Sequence, residues 1–199
     1  MVECGINIRL LRVIKVLGRV FLSPFFRLDV QGVDNLPQRN AFILLPKHQR
    51  WEDIPLLGLA TPRSLYYVAK YELFKNPLSN WFLRSLGGIP LNRQRPFESR
   101  GSLRSIGALL NKGEGVVVFP EGTYYVNRMG PGHVGLVRHI FSRFALPFIP
   151  VGMHYSRKGL RTIVRINFGP TLYIDPASSP HSFLGRLMQE IATLSGLGG

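Results

Sequence analysis

The stretch Ala41-Phe42-Ile43-Leu44-Leu45-Pro46-Lys47-His48-Gln49-Arg50-Trp51-Glu52-Asp53-Ile54-Pro55-Leu56-Leu57 holds an apolar run, then an imidazole and a carboxylate five residues apart, then a second apolar run. Ala41 to Leu45 is short, β-prone and bounded by Asn40 and Pro46, which predicts a buried strand ending just before His48. Ile54-Pro55-Leu56-Leu57 predicts the first turn of a helix, with proline near its start and Asp53 in the N-cap region. His48 and Asp53 therefore flank a strand-to-helix turn. On one continuous helix their spacing would hold the two side chains well over a quarter-turn apart, whereas a turn can fold the carboxylate back onto the ring. A general base needs that geometry: one ring nitrogen toward a hydroxyl, the other held by a carboxylate that fixes the tautomer and stabilises the imidazolium. A chain with five histidines also meets this spacing by chance, with Asp53 a simple helix cap, so the pair gains weight only in company.

Outward from this turn, strands and helices alternate. Arg27 to Val33 is a weakly alternating strand that ends in the Asp34-Asn35-Leu36-Pro37 turn. Beyond the helix from Ile54, Ser64 to Ala69 is a buried strand, and Asn76-Pro77 opens a helix to about Leu86 that Gly87-Gly88 ends. Ile89 to Arg93 is a short extended piece. A helix from about Phe97 places Leu103, Ile106 and Leu110 on its inner face and stops at Gly113. Val116 to Phe119 is a third buried strand, with Pro120-Glu121-Gly122-Thr123 the turn at its end. A helix is expected over 133–145, strands over 147–154 and 162–168, and a last helix capped by Ser179-Pro180. The fold class is α/β: a single domain with a mostly parallel central sheet flanked by helices.

With 199 residues, 45% of them hydrophobic, the chain can bury a real core as one domain. Cys4 is the only cysteine, which excludes an intrachain disulfide. A net charge of +14 calls for a polyanionic neighbour, either nucleic acid or the phosphate headgroups of a membrane. The first 26 residues favour the membrane. Leu10, Ile14, Leu17 and Phe21 recur at helical spacing, while Arg9, Arg12, Lys15 and Arg19 cluster on another face. Charges interrupt this stretch too often for a membrane span or a signal-peptide core. Residues 1–26 thus read as a basic amphipathic helix lying on anionic phospholipid, with residues 27–199 as the folded domain. No nucleic acid is expected, because the aromatic and basic region from Tyr66 to Arg84 is too apolar for a binding face.

Ligands of such folds sit at the carboxyl ends of strands. Three polar turns fall there: His48 to Asp53, Asn92-Arg93 and Glu121-Gly122-Thr123. The second offers a guanidinium suited to bidentate phosphate binding. The third offers a carboxylate, a hydroxyl and a glycine that lets a substrate approach the backbone.

His48-x4-Asp53, Gly88-Ile89-Pro90-Leu91-Asn92-Arg93, Phe119-Pro120-Glu121-Gly122-Thr123 and Phe148-Ile149-Pro150-Val151 resemble, in order and approximate spacing, the four motif blocks of the glycerolipid acyltransferases, bacterial 1-acyl-sn-glycerol-3-phosphate acyltransferases above all. The likeness runs from about Val30 to Pro170. It implies that His48 deprotonates the free hydroxyl of a lysophospholipid as that oxygen attacks an acyl thioester, with Asp53 orienting the imidazole. It further implies that Arg93 binds the acceptor phosphate, that Glu121, Gly122 and Thr123 line the acceptor site, and that Pro150 shapes the acyl-donor side. The implied acceptor is lysophosphatidic acid. The donor is an acyl-carrier protein or coenzyme A thioester, with no bound cofactor and no metal, since His133, His139, His154 and His181 lack paired ligand spacing. The implied location is peripheral or monotopic, on the cytoplasmic face of the cell membrane.

Two departures bear on the acceptor. Tyr124 and Tyr125 stand where the family often has Arg and a further basic residue, and Pro90-Leu91-Asn92 replaces its usual residues before the Arg. Either Arg128 supplies the phosphate contact or the acceptor carries another headgroup. Outside acyl transfer, one alternative is a non-catalytic lipid or membrane binder. A hydrolase lacks a clear nucleophile, with neither Cys4 nor a Gly-x-Ser-x-Gly elbow suitably placed.

Overall fold

The computed structural model describes residues 5–92, 100–133, 135, 146–175 and 178–198. In chain order it contains α1 (Ile8–Leu22), β1 (Phe26–Gln31), β2 (Phe42–Pro46), α2 (Asp53–Ala60), β3 (Leu65–Lys70), α3 (Pro77–Ser85), β4 (Gly88–Leu91), α4 (Arg100–Asn111), β5 (Gly115–Val117), β6 (Phe148–Lys158), β7 (Arg161–Phe168) and α5 (Pro180–Leu194). The strands form one seven-stranded sheet in the order β1-β7-β6-β2-β5-β3-β4.

β2 explains why the sheet is layered. All five of its residues are buried. Ile43 and Leu45 enter one core with Val116, Ile106, Phe183 and Leu187, while Phe42 and Leu44 enter another with Leu56, Leu57, Val117 and Ile149. A strand that is apolar at every position is one covered on both faces. Here α4 and α5 cover the first face and α2 covers the second.

β2, β3, β4, β5 and β6 all run parallel, so the sheet is mostly parallel, as the alternation of elements implies. The exception is at one side. β6 runs on to Lys158, turns through Gly159 and Leu160, and pairs antiparallel with β7, while β1 lies parallel to β7 on the outer edge. The sequence reading expects the two strands as separate pieces, because the polar tip Ser156-Arg157-Lys158 hides the hairpin. The residues of the helix expected over 133–145 lie, apart from His133 and Gly135, outside the described residues, as do residues 97–99 of the helix expected from Phe97. Gly87 closes α3 and admits β4: its φ of +91° favours glycine, and a Cβ there would sit 2.8 Å from the Leu65 carbonyl oxygen.

α1 departs from its expected register. Leu11, Lys15, Gly18 and Leu22 face the body of the protein, and Gly18 allows α1 to approach Leu59 of α2. Val13, Val16, Val20 and Phe21, each more than half exposed, form an apolar face pointing away from the body. Leu17 lies with them, whereas Leu10 and Ile14 are half-buried. No described helix is long and apolar enough to cross a membrane.

Candidate active site

β2 delivers Lys47 and His48 to the carboxyl edge of the sheet, and α2 begins at Asp53. The intervening turn brings the two predicted residues together: His48 Nδ1 lies 3.0 Å from Asp53 Oδ2, with Asp53 fully buried and a tenth of the His48 side chain exposed. Asp53 does not cap the helix it starts: the N-cap position is Glu52, and no side chain caps that end. Its Oδ2 also accepts from the backbone N–H groups of Gln49 at 2.6 Å and Arg50 at 2.8 Å, both of which precede it. Its Oδ1 accepts from the Tyr155 hydroxyl at 2.5 Å. Donors on every side hold the carboxylate in one orientation.

The imidazole is fixed as tightly as its partner. Its ring stacks on Phe119 at 3.9 Å between centroids and meets the edge of Tyr124 at 4.4 Å. With Nδ1 engaged by Asp53, a neutral ring carries its proton there and keeps the Nε2 lone pair free to take a proton from a hydroxyl. Burial, reinforced by the Asp53 charge, pushes the Tyr155 phenol well above its ordinary range, so it stays a neutral donor.

Beneath the pair lies a second, wholly buried one. Lys47 Nζ donates to both Glu121 oxygens, at 2.8 and 2.7 Å, and to the Tyr125 carbonyl at 2.8 Å. Glu121 in turn accepts from the backbone N–H of His48 at 3.0 Å and of Gly130 at 2.6 Å. Burial pulls the Lys47 ammonium below its usual range, and Glu121 opposes that shift. The carboxylate of Glu121 thus points inward and ties the loop after β5 to the turn after β2. Gln49 adds a second tie, donating to the Met153 carbonyl at 2.6 Å and accepting from Asn127 N–H at 2.8 Å.

The other sequence-predicted residues are placed as follows. Gly122 holds a φ of +70° at the tip of the turn, Thr123 is exposed, and Tyr124 is exposed with its ring against His48. Pro150 is buried within β6, paired with Leu45, and its carbonyl accepts from Gly169 N–H at 2.9 Å, so it lies in the sheet rather than among the groups bonded to the pair. Arg93 lies outside the described residues. Arg128 stacks over the Tyr125 ring at 5.5 Å. Lys47, Gln49 and Tyr155 are missed by sequence reasoning. A lysine between a buried strand and a candidate base is a signal that could have found the first; nothing in the sequence points to Tyr155, 102 residues beyond Asp53.

Among the described residues, no group of three or more His, Cys, Asp or Glu side chains is placed to hold a metal ion. What the arrangement can do is accept a proton at a fixed point beside an exposed polar turn. A family model described as Acyltransferase matches residues 27–154, which contain every group named above except Tyr155 and Gly169. The chain belongs to the acyltransferase family.

The relatives agree. Over 150 residues this chain is 30% identical to the chloroplastic 1-acyl-sn-glycerol-3-phosphate acyltransferase BAT2 of Brassica napus, covering 74% of this chain and 43% of that one. Over 106 residues it is 35% identical to the 1-acyl-sn-glycerol-3-phosphate acyltransferase of Bacillus subtilis, covering 53% and 52%. It thus spans about half the length of these two curated relatives. The crystal structure of the 1-acyl-sn-glycerophosphate acyltransferase PlsC from Thermotoga maritima matches with a TM-score of 0.74 at 25% identity, covering 94% of this chain and 79% of that chain.

Proposed function

We propose that the chain transfers a fatty acyl group from an acyl thioester to the free hydroxyl of a lysophospholipid, and that lysophosphatidic acid is the acceptor. The observation that carries this reading is the 3.0 Å contact between His48 Nδ1 and Asp53 Oδ2, which leaves Nε2 for the acceptor. His48 Nε2 takes the hydroxyl proton as the oxygen attacks the thioester carbonyl, and Asp53 stabilises the imidazolium that forms. The carbon–sulfur bond then breaks, and the leaving thiolate takes the proton back from His48. Ester and free thiol result, with no covalent enzyme intermediate. The donor is acyl-carrier protein or acyl-coenzyme A.

Arg93 binds the acceptor phosphate, Gly122 and Thr123 border the acceptor, and Pro150 belongs to the donor side. Glu121 contributes from below by fixing the loop. The exposed apolar face of α1, rimmed by Arg9 and Arg12, supports a peripheral or monotopic position on anionic phospholipid, on the cytoplasmic face where thioester donors are made. A different lysolipid headgroup is the second reading. Tyr124 favours it, standing beside His48 where the family often carries arginine.

The test is thioester consumption with lysophosphatidic acid and a panel of other lysolipids, comparing wild type with His48→Ala. General-base loss removes about 10²- to 10⁴-fold of rate. Turnover that survives in His48→Ala defeats the mechanism, and turnover with none of the acceptors restores the lipid-binder alternative.

A further inference from the structure

Between α1 and the end of α2 lies a cleft of about 600 Å³ that the catalytic reading does not use. Lys15 lines it from the face of α1 packed on the body, and Arg12 and Arg19 from the edge between that face and the apolar outer face. Leu11 and Leu59 supply apolar walls, and Ser64 a hydroxyl. Among the described residues, no carboxylate lines it. Among those residues Lys15 Nζ, with three protons to give, donates one hydrogen bond, to the Thr61 carbonyl at 3.2 Å. Burial, and after it the neighbouring Arg19 charge, pull the Lys15 ammonium below its usual range. Cations gathered without an acid are costly to hold, and an anionic ligand removes that cost.

The geometry points to this cleft as a specific site for the phosphate headgroup of an anionic phospholipid in the surface on which α1 lies. The helix sets the depth. Val13, Val16, Val20 and Phe21 project away from the body, so when they enter the acyl layer the flanking cations come level with the phosphates. The apolar walls fit the glycerol and first methylenes of a lipid rather than free phosphate. The site rests on the membrane-surface reading of α1 but not on the catalytic one.

Vesicle co-sedimentation of the whole chain tests it, using phosphatidylcholine vesicles, plain or carrying equal mole fractions of phosphatidylglycerol or phosphatidic acid. Arg12→Gln with Arg19→Gln is expected to lower affinity for the anionic vesicles by about tenfold or more, with little change on neutral ones. Ser64→Trp fills the cleft without altering charge and is expected to lose a comparable part of the anionic preference. Arg157→Gln with Arg161→Gln, on the far hairpin, removes the same charge and is expected to retain it. Inorganic phosphate at matched ionic strength should not compete. If Ser64→Trp, checked for an unchanged melting transition, keeps full preference, or if the hairpin variant loses as much as the cleft variant, the attraction is diffuse and there is no site. If Val20→Ser with Phe21→Ser leaves binding to every vesicle unchanged, α1 is not the membrane face and the membrane reading itself falls, whatever the acyltransferase assay shows.

Discussion

Tyr155 donates its hydroxyl to Asp53 Oδ1 at 2.5 Å, reaching from β6 to the first residue of α2. The contact closes a chain from Tyr155 through Asp53 to His48, and the Arg50 guanidinium covers the Tyr155 ring at 4.8 Å. A carboxylate whose Oδ2 already accepts two backbone N–H groups does not need the phenol to satisfy that oxygen. It needs the phenol to keep one oxygen from turning away from the ring.

Tyr155→Phe is therefore expected to lower kcat by about 5- to 20-fold, with KM changed little, since a lost hydrogen bond to a charged group is worth about 1.5–3 kcal/mol and part of it falls on stability. Steady-state kinetics with separate kcat and KM, beside a denaturation midpoint, checks this. Equal losses in stability and none in kcat would assign Tyr155 to folding alone.

Lys47 and Glu121 support a different expectation. Lys47→Met leaves a buried carboxylate facing only N–H groups, and Glu121→Leu leaves a buried ammonium, so each single change is expected to cost about 3–5 kcal/mol of stability. The double variant should recover much of that loss because apolar groups of similar volume replace both charges. Activity should not recover, as the His48 and Gly130 N–H groups lose their common acceptor and the loop carrying Phe119 to Tyr124 is untied. Chemical denaturation of the three variants, with turnover measured on each, separates the two effects.

What could be read from the sequence follows from how far apart the partners lie. The β2 strand, the turn and α2 are contiguous, so periodicity and the proline place His48 and Asp53 on the same turn. The alternation of later strands with helices carried the mostly parallel sheet. The β6–β7 hairpin was not legible because β6 is buried throughout from Phe148 to Met153 and turns polar only toward the tip. Lys47 and Glu121 meet across 74 residues, and sequence reading assigned Glu121 to the acceptor turn without a partner. In α1 the sequence fixes the period but not the rotation. Only packing on α2 turned Lys15 inward and left Val13, Val16 and Val20 outside.

Alkaline pH should destabilise the fold. Burial raises the phenol pKa of both Tyr155 and Tyr67 above the ordinary value of 10.0. The folded protein then keeps two protons that the unfolded chain releases, so their contribution is complete below pH 10.0 and is lost as pH rises beyond it. Lys47 and Lys15 act the other way, because their lowered pKa values favour the folded state as pH climbs toward 10.5, where that gain levels off. Beyond it only the phenol contribution still changes, and it falls. Denaturant midpoints between about pH 10.5 and about pH 12 should drop, and Tyr67→Phe should flatten the drop. A midpoint constant across that range would show both phenols to be solvated.

Tyr124 offers a test of the proposed acceptor. Its ring edge lies 4.4 Å from His48, and the side chain is half exposed, so it borders whatever hydroxyl-bearing substrate reaches Nε2. A phenol offers one neutral donor, whereas a guanidinium there would offer a charged, bidentate one to a phosphate. If the natural acceptor carries its phosphate at this turn, Tyr124→Arg should raise kcat/KM for lysophosphatidic acid by about tenfold over a neutral lysolipid, the worth of one charge-assisted contact of about 1.5 kcal/mol. Tyr124→Phe should then change little, because on the proposed reading Arg93 binds the phosphate. A different headgroup reverses the pattern: Tyr124→Phe loses activity with the preferred lysolipid, and Tyr124→Arg gains nothing with lysophosphatidic acid. Competition assays with paired lysolipids, run on the wild type and both variants, read the two patterns directly.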